Sequence, residues 1–179
     1  GSKDYEEIIN IFLRNIAFVI IISLLLVILQ TYIYNISLSI FELSQETKIY
    51  FKDYFTFRIY SSFGELTIFV VTGLFIGLQK TKTSSFIVGF YSLANIILSL
   101  VFVLYFNLNV LGVALGTLVA STLTTIIFLI YTFYALSKMT KLEFNSKKIF
   151  NLSKVKNIFN INLNIFIRSL LLAFAFLYF

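Results

Sequence analysis

Charged residues are absent from long stretches of the chain. None lies between Arg14 and Glu42, and none lies between Lys82 and Lys138. A helix needs about 20 apolar residues to cross a bilayer, so the first stretch predicts one membrane span and the second predicts two. The connection between these two spans is expected at 105–109, where two Asn residues tolerate turn conformations.

Two further apolar stretches each contain a charge. The stretch 66–79 is shorter than a span and must extend back through Glu65 towards Arg58, and the stretch 157–179 carries Arg168. The pattern therefore predicts an all-α integral membrane fold with five transmembrane helices. These are expected at about 9–33, 54–79, 84–105, 110–137 and 158–179.

Composition narrows the chemistry that this chain can perform. The 179 residues are 59% hydrophobic and 12% charged, which excludes an ordinary soluble domain. The absence of Cys and His excludes disulfides, thiolate or imidazole metal sites and Ser-His-Asp triads. Glu65 is the only acid expected inside the membrane, so paired carboxylates for acid–base chemistry are missing. We therefore expect no metal, no catalytic residues and no enzyme.

The basic residues are concentrated in two connections. They are Lys80 and Lys82 in the first, and Lys138, Lys141, Lys147, Lys148, Lys154 and Lys156 in the second. Loops rich in Lys and Arg stay in the cytoplasm, which predicts that the amino-terminal edge and the loops 80–83 and 138–157 are cytoplasmic. The net charge of +6 then reports topology, so we expect the lipid bilayer as a partner and no nucleic acid. The loop 139–157 is either a helix on the membrane surface or an ordinary basic linker.

Small residues recur four positions apart on two predicted helices. The pairs are Gly73 with Gly77 and Gly112 with Gly116, and this spacing predicts close packing of helices. Asn95 on the third helix and Thr117 on the fourth belong to polar stripes. Such stripes either form hydrogen bonds between helices or line a water-filled cavity, and both interpretations remain open.

Glu65 is the most informative single residue. Ionisable groups inside a membrane are costly to bury and are therefore functional candidates. The alternatives are that Glu65 pairs with Arg58, two turns earlier on the same face, or that it reaches water. Arg168 could in the same way pair with a carboxylate in a cavity, or extend its side chain to the membrane surface.

Three sequence blocks at matching spacings resemble the multidrug and toxic compound extrusion (MATE) family. They are GLQKTKT at 77–83, NIILSLVFV at 95–103 and LGVALGT at 111–117. They are similar to the family patterns G-x-Q-[ND]-[ST]-[KR], N-x-x-x-[DN] and G-x-A-x-[AG]-T. RIY at 58–60 and IFIRSL at 165–170 resemble the branch that contains the DNA-damage-inducible protein F.

The resemblance implies a place for this chain in a larger fold. The family has about twelve helices in two six-helix lobes, and this chain resembles the third to seventh of them. Residues 1–138 would then be part of the amino-terminal lobe, 139–157 the loop between lobes, and 158–179 the truncated first helix of the second lobe. We therefore expect a fragment, with the missing remainder of the transporter as a partner, in the bacterial inner membrane.

The resemblance also implies an activity. Family members are secondary antiporters for drugs, other xenobiotics or metabolites, coupled to protons or sodium without a further cofactor, and the expected substrate is a small cationic or amphipathic molecule. Asn95 and Thr117 match residues that line the family's cavity, whereas Ser99 stands where the family has an Asp. We therefore expect Glu65, or a carboxylate on the family's first helix, to supply the titrating group. The alternatives are a lipid-linked oligosaccharide flippase of the same superfamily and a small helical scaffold subunit.

Overall fold

The described chain is a set of five helices. The computed structural model describes residues 5–41, 43–139 and 151–178. The helices are α1 (Tyr5–Ile40), α2 (Gln45–Gly77), α3 (Thr81–Leu100), α4 (Asn109–Ser137) and α5 (Leu152–Tyr178). A π-helical segment, Val101–Tyr105, continues α3.

Helices α1 to α4 are long and apolar enough to cross a membrane. They confirm the all-α membrane fold that the charge pattern predicts, and the protein is a multi-pass membrane protein. The fifth span, expected at 158–179, overlaps α5 over residues 158–178 and stays a prediction.

The connection between α1 and α2 is much shorter than the sequence predicts. The sequence predicts that the first helix ends at about 33 and the second begins at about 54, whereas α1 continues to Ile40 and α2 begins at Gln45. Lys, Glu and Gln are good helix formers, so charges that leave the membrane need not leave the helix. Ser44 caps α2, because its Oγ accepts a hydrogen bond from the backbone N–H of Thr47 at 3.3 Å.

The turn between α3 and α4 lies where two asparagines adopt the left-handed conformation. Asn107 has a φ of 54° and Asn109 a φ of 47°, and Asn tolerates this region because its short side chain can bond locally. The π-helical segment before the turn was not predicted. It is closed by a hydrogen bond from the N–H of Phe106 to the carbonyl of Val101 at 3.2 Å.

Helix α2 occupies the middle of the bundle. It packs against α1, α3 and α4, and α3 also packs against α4. The core between them consists of apolar side chains from all four helices: Ile9, Phe12, Ile68, Val71, Phe75, Ile87, Phe128 and Leu136. Because α2 is central, the polar side chains on its α3 side are brought against α3 and α4.

Small residues allow α4 to approach its neighbours closely. A Cβ added to Gly116 would lie 2.6 Å from the backbone N of Ser99, and one added to Gly112 would lie 3.0 Å from the carbonyl carbon of Phe102. The first distance is shorter than real Cβ contacts and the second is tighter than most of them, so these two glycines permit α4 to lie close to α3 and the π-helical segment. Gly64 plays the same part for α2 and α4, although its spacing in the sequence does not predict this.

Gly73 and Gly77 do not make the close contact that their spacing predicts. Among the described residues, a Cβ added to either glycine would have no atom within 4 Å. The two glycines instead line an apolar groove of about 510 Å³ together with α1 residues such as Ile8 and Phe12. The spacing permits a close approach but does not specify that a helix makes one.

Helix α5 starts beside the amino-terminal end of α1. Lys154 Nζ lies 2.5 Å from Glu7 Oε2, so the first turn of α5 is tied to the first turn of α1. α5 begins at Leu152, six residues before the predicted span. Residues 140–150 of the predicted loop 139–157 lie outside the described residues.

Candidate functional site

Helices α2, α3 and α4 line a half-open cavity of about 440 Å³, here called the polar cavity. Its lining residues are Tyr54, Arg58, Glu65, Ile68, Phe69, Thr72, Val88, Tyr91, Ser92, Asn95 and Thr117. Four residues singled out from the sequence, Arg58, Glu65, Asn95 and Thr117, therefore lie around one space. Ser99 contacts its edge through Asn95.

The charged part of the polar cavity is an ion pair within α2. Arg58 Nη1 lies 2.5 Å from Glu65 Oε1, and Arg58 Nη2 donates to Glu65 Oε2 at 3.4 Å. Seven residues separate the two side chains, which places them two turns apart on one helical face. They are only 34% and 23% exposed, so water covers a minor part of each charge.

Hydroxyl groups from α2 and α3 complete the coordination of Glu65. The Tyr91 hydroxyl donates to Glu65 Oε1 at 3.0 Å, and Ser61 Oγ lies 3.4 Å from the same oxygen while it donates to the carbonyl of Arg58 at 2.8 Å. Ser61 Oγ also lies 3.4 Å from Arg58 Nη1. The carboxylate is therefore held in place by one cation, Arg58, and one neutral donor, the Tyr91 hydroxyl.

The neutral part of the polar cavity joins α3 to α4. Asn95 Nδ2 donates to Thr117 Oγ1 at 3.3 Å, and Ser99 Oγ donates to Asn95 Oδ1 at 3.2 Å. Thr117 Oγ1 donates in turn to the carbonyl of Val113 at 3.0 Å. The Asn95 amide thus has a partner at each end, and Ser99 supplies a neutral donor at the position where the family pattern has an acid.

Arg168 does not belong to this site. It is exposed on α5 and is not among the residues that line the polar cavity. Tyr91 and Ser61, by contrast, contact Glu65 and were not identified from the sequence. The available signal was spacing: Tyr91 lies four residues before Asn95 and hence on the same face of α3.

The lining combines opposite charges, neutral hydrogen-bonding groups and apolar surface. Arg58 and Glu65 carry the charges, while Ile68, Phe69 and Val88 are apolar. Such a lining offers both ionic and hydrogen-bonding partners to a small polar molecule. A multi-pass helical protein with a polar cavity between its helices has the architecture of a membrane transporter.

Comparison with known proteins agrees with this class. The MatE family model matches residues 1–101, which is more than half of the chain. The chain belongs to the MatE family and is a MATE-family transporter protein. A search of curated proteins and a search of solved structures each found no match.

Proposed function

We propose that this protein works in secondary active efflux of drugs or metabolites, as an antiporter coupled to protons. The observation that carries the proposal is the polar cavity, where Glu65 lies in one space with Asn95 and Thr117. An inner-membrane location with the loops 80–83 and 138–157 in the cytoplasm belongs to the same proposal and is supported by the distribution of lysines.

Glu65 is proposed as the coupling acid. Ser99 supplies no carboxylate beside Asn95, and Glu65 is the only acid among the described residues that line the polar cavity. The titratable groups that face it are Arg58 and Tyr54 from α2 and Tyr91 from α3. No titratable side chain of α1 or α4 is among these lining residues.

Proton uptake at Glu65 would change the charge of the polar cavity. Ionised Glu65 neutralises Arg58, whereas protonated Glu65 leaves the Arg58 charge without its partner. Protons and substrate would then compete for one carboxylate, and this competition couples their opposite movements as the helices alternate access.

The test is transport by the full-length transporter that contains this chain, reconstituted in liposomes with an imposed pH gradient. We expect export to rise with the inward proton gradient, and we expect Glu65→Gln to abolish this dependence while Glu65→Asp retains part of it. Arg168→Gln is the matched control because Arg168 is exposed and outside the polar cavity. If Glu65→Gln keeps the wild-type pH dependence, Glu65 is not the coupling acid. A requirement for sodium instead of protons would contradict proton coupling.

A further inference from the structure

The charges in the polar cavity balance each other. One guanidinium and one carboxylate are the only side chains with full charges among the described lining residues, and they contact each other through two nitrogen–oxygen pairs. Most of each side chain is covered. A ligand that reaches these groups therefore meets a neutral, preformed pair rather than a free charge.

This balance decides which ligands can bind without a large penalty. A cation that binds Glu65 in place of Arg58 leaves Arg58 unpaired, and an anion that binds Arg58 in place of Glu65 leaves Glu65 unpaired. An unpaired charge is unfavourable in a site where each side chain is mostly covered. A molecule with both charges can replace the internal pair by two external pairs and leaves neither group alone.

We infer that the substrate is a small amphipathic zwitterion whose carboxylate binds Arg58 and whose ammonium group binds Glu65. This inference rests on the proposed function, and it narrows the cationic or amphipathic substrate that the family resemblance implies. The guanidinium fork suits a carboxylate because it donates two parallel hydrogen bonds. The Tyr91 hydroxyl, 3.0 Å from Glu65 Oε1, can hold the Glu65 carboxylate in place while its ionic partner changes from Arg58 to the ammonium group of the ligand.

The remaining lining determines the rest of the molecule. Ile68, Phe69 and Val88 offer apolar surface beside the charged pair. A cavity of about 440 Å³ lies within the usual range for small-molecule sites and accepts a molecule the size of an aromatic amino acid. The ligand is therefore a compact zwitterion with one apolar group.

The same chemistry couples binding to protons. Protonation of Glu65 removes the counter-ion of the ammonium group, so a proton arriving at Glu65 expels the zwitterion. Proton and substrate then occupy the site in turn, as an exchanger requires.

The absence of Cys from the sequence provides a direct experiment. Ser92→Cys places the only thiol of the protein in the lining of the polar cavity. The rate at which a water-soluble methanethiosulfonate reagent modifies this thiol is measured with three probes of similar size: phenylalanine, phenethylamine and 3-phenylpropionate. Only the first is a zwitterion. We expect phenylalanine to slow the modification at a concentration at least about tenfold lower than the other two.

Two controls accompany this measurement. Ser137→Cys places a single thiol at the exposed end of α4, outside the polar cavity, and none of the probes should protect it. Arg168→Gln in the Ser92→Cys background removes an exposed arginine outside the site and should leave protection by phenylalanine unchanged.

Variants of the pair test the assignment of the two groups. In the Ser92→Cys background, Arg58→Gln and Glu65→Gln should each weaken protection by phenylalanine about tenfold or more. Arg58→Gln should strengthen protection by phenethylamine, because Glu65 loses its internal partner. The exchange Arg58→Glu with Glu65→Arg keeps both charges and should recover part of the protection.

The possible failures are distinguishable. If the Ser92→Cys thiol reacts and phenethylamine or 3-phenylpropionate protects it as well as phenylalanine, the zwitterion inference is wrong and the proposed transport pathway stands. The same holds if the thiol reacts and no probe protects it. If the reagent does not reach the thiol in a protein whose Ser137→Cys form is modified normally, the polar cavity is not a water-accessible pathway. That result overturns both proposals.

Discussion

The Glu65 carboxylate contacts one residue that stands out in the sequence, Arg58, and one that does not, Tyr91. Glu65 and Arg58 stand out because charges are rare inside apolar helices, and a spacing of seven already places them on one face. Tyr91 carries no such mark, because tyrosine is common in this chain. Its hydrogen bond to Glu65 depends on how α3 packs against α2, which residue spacing does not determine.

The ion pair should behave as one energetic unit. We expect Glu65→Gln and Arg58→Gln each to lower the free energy of unfolding by about 1–2 kcal/mol, less than for a fully buried pair because both side chains keep some contact with water. The double variant should lose less than the sum of the single variants. Unfolding in detergent micelles, followed by circular dichroism, gives the free energy of unfolding of the wild type, the two single variants and the double variant. Additive losses would show that the two charges do not stabilise each other.

At the scale of the elements, the sequence predicts where the helices are but not where they end. Charge counting locates the membrane, whereas the ends of a helix depend on capping and on helix propensity. α2 therefore begins nine residues before the expected position, at the Ser44 cap. The π-helical segment was missed for a related reason, because nothing in the apolar run Val101–Tyr105 distinguishes one helical hydrogen-bonding pattern from another.

The close approach of α3 and α4 makes Gly116 intolerant of a side chain. Gly116→Ala places a Cβ against the backbone of Ser99, so we expect a loss of about 1–3 kcal/mol in the free energy of unfolding. Gly73→Ala is the matched control, since no atom lies within 4 Å of its Cβ position, and it should be neutral or stabilising by up to about 1 kcal/mol. Both are measured by unfolding in micelles. Equal effects of the two variants would refute the assigned α3–α4 contact.

The turn after the π-helical segment should select for residues that accept a positive φ. Asn107 has a φ of 54°, so Asn107→Gly should change the free energy of unfolding by no more than about 0.5 kcal/mol. Asn107→Val should lower the free energy of unfolding by about 1–2 kcal/mol, because a β-branched side chain is strained at a positive φ. Thermal unfolding of the two variants separates these outcomes, and a neutral Asn107→Val would contradict the left-handed turn.

At the scale of the whole molecule, Glu7 links two distant parts of the chain. Its carboxylate lies 3.8 Å from Arg14 Nη1, a nitrogen of a side chain that is only 2% exposed, and 2.5 Å from Lys154 Nζ on α5. The charge pattern predicts that Lys154 lies in a cytoplasmic loop, and it does not predict this contact because 147 residues separate the partners.

Removing the two ends of this link should have unequal effects. Lys154→Gln removes a half-exposed partner and should lower the free energy of unfolding by less than about 1 kcal/mol. Glu7→Gln also removes a negative charge beside the buried Arg14 guanidinium. It should lower the free energy of unfolding by about 2 kcal/mol or more. Hydrogen exchange should show faster exchange at the start of α5 in both variants. Equal losses of stability would indicate that Arg14 does not depend on Glu7.

The lengths of α1 and α2 have a practical consequence for imaging this protein. A helix of 36 residues is about 54 Å long, against about 30 Å for the hydrocarbon core, so α1 either tilts steeply or extends beyond the lipid. Near the carboxy-terminal end of α1, Tyr34 stacks on Phe51 of α2 with ring centroids 5.7 Å apart, which joins the two helices. A small folded domain fused at the connection between α1 and α2 would therefore turn rigidly with the bundle and serve as a fiducial for aligning single particles in electron micrographs.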